Sequence, residues 1–408
     1  MIVVNIFYKV YCRIYQKIMW CALWLLPWRT PYKLLGENSI SKLPKFCLDK
    51  GLKKPLLVTD ENILKLGLCN TLINNMQNIG IEIVCFSKVV PNPTINNIED
   101  GVKLFNSNGC DHIIAIGGGS SIDCAKGIGA RIAKPNKSIP QMKGIFKVLA
   151  KLPYTIVVPT TSGTGSEATL AAVISNPDTH EKYAINDVSL IPHCVVMDPL
   201  LTVGLPKSIT STTGMDALTH AVEAYIGSSN TPRTKKQALE ATQLIFKYLK
   251  RAYDNGDDLE ARNEMQKASY LAGCAFTRAY VGYTHAMAHT LGGFYRVPHG
   301  LANSVLLPVV LESYDKKVYK KLARLADAVN ISGSNDEEKS KAFIEAIRDM
   351  NKYMDIPEKI NLDTCKWYIK EKDLPLMIKR ALSEANPLYP CPCIFGYDEL
   401  YNLYRKIM

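Results

Sequence analysis

The chain has 408 residues, 47% of them hydrophobic, 21% charged and 9% aromatic. That suffices for two or three domains and for a core needing no disulfide staples, and it excludes disordered and collagen-like chains. No apolar run reaches the roughly 18 residues of a membrane-spanning helix. The 49 Lys+Arg against 38 Asp+Glu leave +11, which suits a phosphate-bearing cofactor or an acidic membrane surface. There is no RNA-binding signature and no zinc-finger spacing, so no nucleic-acid partner is expected.

Residues 1–29 read as an amphipathic helical segment. Asn5, Lys9, Arg13 and Gln16/Lys17 recur at helical spacing among Ile2, Val3, Ile6, Phe7, Val10, Tyr11, Ile14, Tyr15 and Ile18. The segment turns apolar through Trp20–Trp28 and meets Pro27 and Pro31. A signal peptide matches poorly, because the basic residues lie within the segment and no A-x-A site follows. The helix either docks on the body or a partner subunit, or lies in a membrane interface.

Residues 30–204 alternate. Leu56–Thr59, Ile81–Phe86, Ile113–Ile116, Thr155–Val158 and Cys194–Met197 read as strands, with helical spacing at Leu64–Ile79, Ile98–Asn106 and Ile122–Ile128. That pattern predicts a parallel α/β sheet with crossover connections. Residues 205–408 change texture. Ser211–Tyr225, Lys235–Tyr253, Leu259–Arg278, Thr284–Phe294 and Tyr319–Val329 carry helical periodicity, which predicts an all-α second domain. Residues 331–341 read as a polar surface loop. The 12 cysteines have no C-x-x-C spacing, so reduced thiols in a cytoplasmic protein are expected. Cys391-Pro-Cys393 could be redox-active, or a loop with two incidental thiols.

Three predicted strands end in residues suited to a nucleotide. Gly117-Gly118-Gly119-Ser120 leads into a helix, where small residues let backbone N–H groups approach a phosphate. Ile122 breaks G-x-G-x-x-G and no G-K-[ST] follows, so neither the dinucleotide fingerprint nor the P-loop applies. A strand-to-helix turn without a ligand is the alternative. Pro159–Glu167 packs hydroxyls and glycines that can donate to a diphosphate or ribose. Asp60 could accept from ribose hydroxyls and repel a 2′-phosphate, or simply cap the next helix.

Four of the 7 histidines share a short stretch. Asp216-x-x-x-His220 and His285-x-x-x-His289 each place two side chains on one helical face. His299 follows in a turn bounded by Pro298 and Gly300. Asp216, His220, His285 and His299 could give a carboxylate and imidazoles to one divalent ion, Fe²⁺ or Zn²⁺; singly, each histidine could be a satisfied core residue. Ala286 excludes H-E-x-x-H, and Glu223 suits an ion pair or a group behind the ligands. His112, His180 and His193 read as structural.

Gly117–Asp123, Pro159–Glu167, Gly214–Tyr225, His285–His289, Pro298–Asn303 and Val90–Thr94 together resemble the iron-containing (group III) alcohol dehydrogenases, over roughly residues 35–400. The resemblance implies a dinucleotide-binding α/β domain and a helical domain, with the active site in the cleft between them. It implies NAD(P)-dependent interconversion of small alcohols with aldehydes or ketones, with NAD favoured by Asp60, in a homodimer. It implies metal ligation by Asp216, His220, His285 and His299, and His289 beside nicotinamide and substrate. Gly118, Gly119 and Ser120 would hold the diphosphate. Thr160, Thr161 and Thr164 would line the cofactor, with Asp60 at the ribose and Asn92, Lys182 and Leu201 as weaker carry-overs.

The implied chemistry is Lewis-acid activation of the alcohol oxygen and hydride transfer to nicotinamide. His289 would relay the proton or only shape the pocket. Ser162 stands where the family pattern leads one to expect alanine, and residues 1–30 extend beyond the commonest start. The competing readings are a dehydroquinate-synthase-like lyase and a non-catalytic, filament-forming relative.

Overall fold

A computed structural model describes residues 5–176, 181–361 and 366–408. His180 and the Ile2–Val3 start of the first segment lie outside these residues. Two compact units emerge. One holds Pro27–Leu205 with Gly256–Gln266; the other holds the residues up to Leu26, Pro206–Asn255 and Lys267–Met408. The expected continuous span 205–408 is therefore interrupted. Gln266 Nε2 donates to the carbonyls of Pro159 and Asp198, at 3.4 and 3.2 Å, and Arg262 Nη2 donates to Val203 O at 3.4 Å. These bonds tie the 256–266 segment to the α/β unit.

Helix α1 (Ile6–Trp24) belongs to the helical unit. The α/β unit begins with β1 (Tyr32–Leu35), α2 (Leu43–Asp49) and β2 (Pro55–Val58). The expected helix over Leu64–Ile79 is two, α3 (Glu61–Lys65) and α4 (Asn70–Asn78), because Gly67 turns the chain at φ +72°. Then come β3 (Val84–Phe86), α5 (Ile95–Ser107), β4 (His112–Gly117) and α6 (Gly119–Ala133). Next are β5 (Gly144–Ile145), β6 (Tyr154–Pro159), β7 (Ala171–Asn176), β8 (Glu181–Asn186) and β9 (Cys194–Met197).

Six strands form one sheet in the order β1-β9-β6-β4-β2-β3, every pairing parallel. Its inner strands β2, β4 and β9 are buried at every position, as continuous apolar runs on a sheet covered on both faces should be. Leu57, Ile114, Ile116, Val158 and Val196 share one core cluster. From β2 the chain adds β3 on one side and β4 on the other, so the order reverses at the β2/β4 boundary. Ligands of open α/β sheets bind outside the carboxyl ends of strands at such a reversal. A small sheet, β5-β8-β7, was not foreseen.

The helical unit contains α7 (Lys207–Ile226), α8 (Pro232–Asp254), α9 (Leu259–Ala279, from Lys267 onward), α10 (Tyr283–Tyr295) and α11 (His299–Ser313). It continues through α12 (Tyr319–Ala328), α13 (Asp336–Tyr353), α14 (Leu374–Ala385) and α15 (Tyr397–Ile407). Among the described residues it has no strand. The polar loop expected over 331–341 stops at Asn335, whose side chain accepts from Glu338 N at 2.9 Å. Asp336, Glu337 and Glu338 then favour the positive end of the new helix.

Candidate active site

On the α/β unit, β4 runs into Gly117, at φ +150°. A Cβ there would fall 2.4 Å from Ser121 Oγ, and one on Gly119 would fall 2.8 Å from Thr164 Cγ2. Glycine at 119 lets the 159–167 loop close over the start of α6, and glycine at 117 leaves room for the Ser121 side chain of that helix. Gly118 caps α6 without any side-chain bond. The first-turn N–H groups and the positive helix end therefore suit an anion. Thr160 N donates to Gly117 O at 3.0 Å, and Thr161 lies 3.4 Å from where a Gly118 Cβ would be. Asn92, at φ +58°, donates its N–H to Ser120 Oγ at 3.2 Å.

Asp60 caps α3: Oδ1 accepts from Asn62 N and Ile63 N at 2.9 and 3.1 Å. Its other oxygen, Oδ2, is the one that lies toward Gly117. The capping role is thus real and leaves one oxygen on the glycine turn. Gly118, Gly119, Ser120, Thr160, Thr161, Thr164, Asn92 and Asp60 come together at the carboxyl ends of β2, β4 and β6. Lys182 is opposite Ser175 on the small sheet, and its charge acts on the Asp123 carboxyl. Leu201 is buried in the core cluster with Ile116 and Val196.

Sequence reasoning missed what braces the loop. Lys126, fully buried in α6, donates to the carbonyls of Ser166, Thr169 and Ala171 at 2.6, 2.9 and 2.8 Å. Asp123 accepts from Ser166 Oγ at 2.6 Å and from Val173 N at 3.0 Å. Burial lowers the Lys126 ammonium to about 8 and pushes the Glu167 carboxyl up to about 7. The available signal was the i, i+3 spacing of Asp123 and Lys126 just after the glycine turn.

On the helical unit, α7 is buried continuously from Gly214 to Ile226, so its polar side chains there need partners. Asp216 and His220 from α7, His285 from α10 and His299 at the start of α11 place one ligand atom each within 4.8 Å of one another. His299 was expected in a turn. Instead Pro298 is the N-cap and His299 the first helical residue. Gly300 explains the approach: a Cβ there would sit 2.3 Å from Thr212 O, so only glycine lets α11 close on α7.

The donor set fits a divalent cation. His285 Nδ1 donates to Glu223 Oε2 at 2.6 Å, which leaves Nε2 with its lone pair bare. That atom is buried, has no hydrogen-bond partner and lies 3.9 Å from Asp216 Oδ1. Glu223 also accepts from Gly282 N and Thr284 N, at 2.8 and 2.9 Å. Asn303 Nδ2 donates to Asp216 Oδ1 at 2.6 Å. Hydrogen-bonded carboxylate and imidazole ligands of this kind are what orients a metal site. Asn303, one helical turn beyond His299, had no role in the sequence reading.

His289 is one turn along α10 from His285, its ring 5.2 Å from that of His299. Its Nδ1 donates to Glu384 Oε1 at 2.6 Å, and Tyr389 Oη donates to the same oxygen at 2.8 Å. That contact engages Nδ1 and leaves Nε2 as the ring nitrogen outside it.

A phosphate-ready turn on a parallel sheet and a buried Asp/His₃ cluster on a helical unit define a metal-binding nucleotide-dependent oxidoreductase. Residues 31–199 match the iron-containing alcohol dehydrogenase family, and residues 210–408 match the Fe-containing alcohol dehydrogenase family, C-terminal part. The chain is 40% identical to 1,3-propanediol dehydrogenase of Klebsiella pneumoniae, over 86% of this chain and 90% of that one. It is 37% identical to alcohol dehydrogenase 4 of Schizosaccharomyces pombe, over 92% and 87%. A crystal structure of a 1,3-propanediol oxidoreductase superposes with a TM-score of 0.88 at 37% identity, covering 94% of this chain and all of that one. The chain belongs to the iron-containing alcohol dehydrogenase family and is an NAD(P)-dependent oxidoreductase. The lyase reading falls away.

Proposed function

We propose that the protein interconverts a small primary alcohol and its aldehyde with NAD, at a metal held by Asp216, His220, His285 and His299. The observation that carries this is the bare, buried His285 Nε2 facing Asp216, with its tautomer set by Glu223. Fe²⁺, or Zn²⁺ with the same donors, supplies Lewis acidity to the substrate oxygen, and NAD supplies the hydride acceptor. Gly118, Gly119 and Ser120 bind the diphosphate, while Thr160, Thr161, Thr164 and Asn92 line the cofactor, with Lys182 at its margin. Asp60 receives the ribose hydroxyls through the oxygen its cap leaves over, and its charge disfavours a 2′-phosphate. His289 Nε2 moves the alcohol proton, with Glu384 holding the imidazole in that tautomer.

The free state of every cysteine among the described residues supports a reducing compartment, the cytoplasm. A homodimer is the assembly we expect. The specificity claim is tested by ranking kcat/KM over primary alcohols, terminal diols, secondary alcohols and hydroxy acids. Primary alcohols or terminal diols should lead; a preference for hydroxy acids or secondary alcohols would overturn it.

A further inference from the structure

Helix α1 is docked by its polar face and presents its apolar face to solvent. Arg13 donates to Cys391 O and Pro392 O at 2.8 and 3.0 Å, and Gln16 Nε2 donates to Pro387 O and Tyr389 O at 3.0 and 2.8 Å. Cys12, Gln16 and Leu23 are buried on that side. On the opposite side Phe7, Tyr11, Ile14, Ile18 and Leu25 fall in one stripe at helical spacing, with Phe7 80% and Ile18 61% exposed. Contiguous exposed apolar surface of this kind marks an interaction site.

We propose that this stripe seats the protein on the surface of an anionic lipid bilayer. The charges select that occupant. Lys9, Arg13 and Lys17 are the charged residues of α1, and the first acidic residue of the chain is Glu37. Exposed Lys17 flanks the apolar arc and lies 4.2 Å from the Trp20 ring centre, while Lys9, also exposed, falls on the side of the helix that meets the loop carrying Cys393. Tyr8, Tyr11, Tyr15 and Trp20 are amphipathic rings suited to headgroup depth. Among the described residues no helix is long and apolar enough to cross a membrane, so α1 lies along the interface, as cationic amphipathic helices do. A second copy of the chain is a worse match, because α1 carries no acidic residue to meet Lys17 of a facing helix. The loop that receives α1 carries Tyr389, which bonds to Glu384, so the membrane-bound helix rests on the segment that also braces His289.

The test is co-sedimentation of the full chain with phosphatidylcholine vesicles, with and without phosphatidylserine. Attraction of about fivefold for each cation near the surface predicts partitioning on the order of fivefold stronger to the anionic vesicles from Lys17 and up to about 25-fold with Lys9, weakening as salt rises. Phe7→Ser/Ile14→Ser/Ile18→Ser should abolish binding and leave alcohol turnover and oligomer size unchanged. Lys9→Glu/Lys17→Glu should erase the preference for the anionic lipid. Pelleting with neither vesicle, or equally with both, would overturn the proposal. So would a smaller oligomer in the triple-serine variant, which would put a second copy on the stripe.

Discussion

Glu223 Oε2 and His285 Nδ1 lie 2.6 Å apart, both buried, and this one contact decides which nitrogen of His285 faces Asp216. The same carboxylate takes the N–H groups of Gly282 and Thr284 as α10 begins. It therefore fixes the ring and the backbone that carries it.

Glu223→Gln replaces an acceptor of three N–H groups with a side chain that must turn its own donor toward one of them. Metal affinity should fall 10- to 100-fold with the fold intact. Competition with a chelating indicator for Co²⁺ or Zn²⁺ measures it, with circular dichroism as the control. Unchanged affinity would show that His285 is oriented without Glu223.

Removing His289 should lower kcat by at least about a hundredfold and flatten its pH profile, which is the scale of a lost proton relay. Glu384→Gln should lower kcat less, because the amide still accepts from Nδ1 and holds the tautomer. Wild-type turnover and profile in His289→Ala would reduce that residue to a wall of the pocket.

Asp60→Gly should raise the ratio of kcat/KM for NADP over NAD by tenfold or more. Glycine keeps most of the cap, at a cost of only a few tenths of a kcal/mol, so selectivity and stability separate. An unchanged ratio would place Asp60 away from the ribose and leave it as the α3 cap.

Glu167 gives a stability prediction with a definite sign. Its folded carboxyl titrates at about 7, above the ordinary 4.5, because burial penalises the charge. The folded state therefore holds a proton that the unfolded state has lost. Its contribution is present in full below about pH 4.5 and is lost as pH rises through about 7. The melting temperature should fall across that window, and Glu167→Gln should flatten the fall. An equal slope in the variant would contradict the assignment.

What the sequence disclosed has a physical pattern. The inner strands were legible because β2, β4 and β9 are buried on both faces and so read as unbroken apolar runs. The ligands Asp216 and His220 were legible because i, i+4 spacing alone puts them together. Strand β1 was not, because three of its four residues are exposed. The β7–β8 pair was missed because polar residues such as Ser175 and Lys182 interrupt it. Glu384 was out of reach, since it meets His289 from a helix 95 residues further along the chain. The Pro298/Gly300 frame pointed to a turn, although proline is compatible with a helix start and Gly300 serves the contact with Thr212.

The central claim is that Asp216, His220, His285 and His299 hold the metal on which alcohol oxidation depends. Its most direct test is anaerobic NADH formation from a primary alcohol by chelator-treated protein, before and after Fe²⁺ or Zn²⁺ is restored. The predicted result is turnover that vanishes with chelation, returns with metal, and is absent from His285→Ala at every metal concentration. Turnover that survives chelation, or a His285→Ala enzyme as active as wild type, would contradict it.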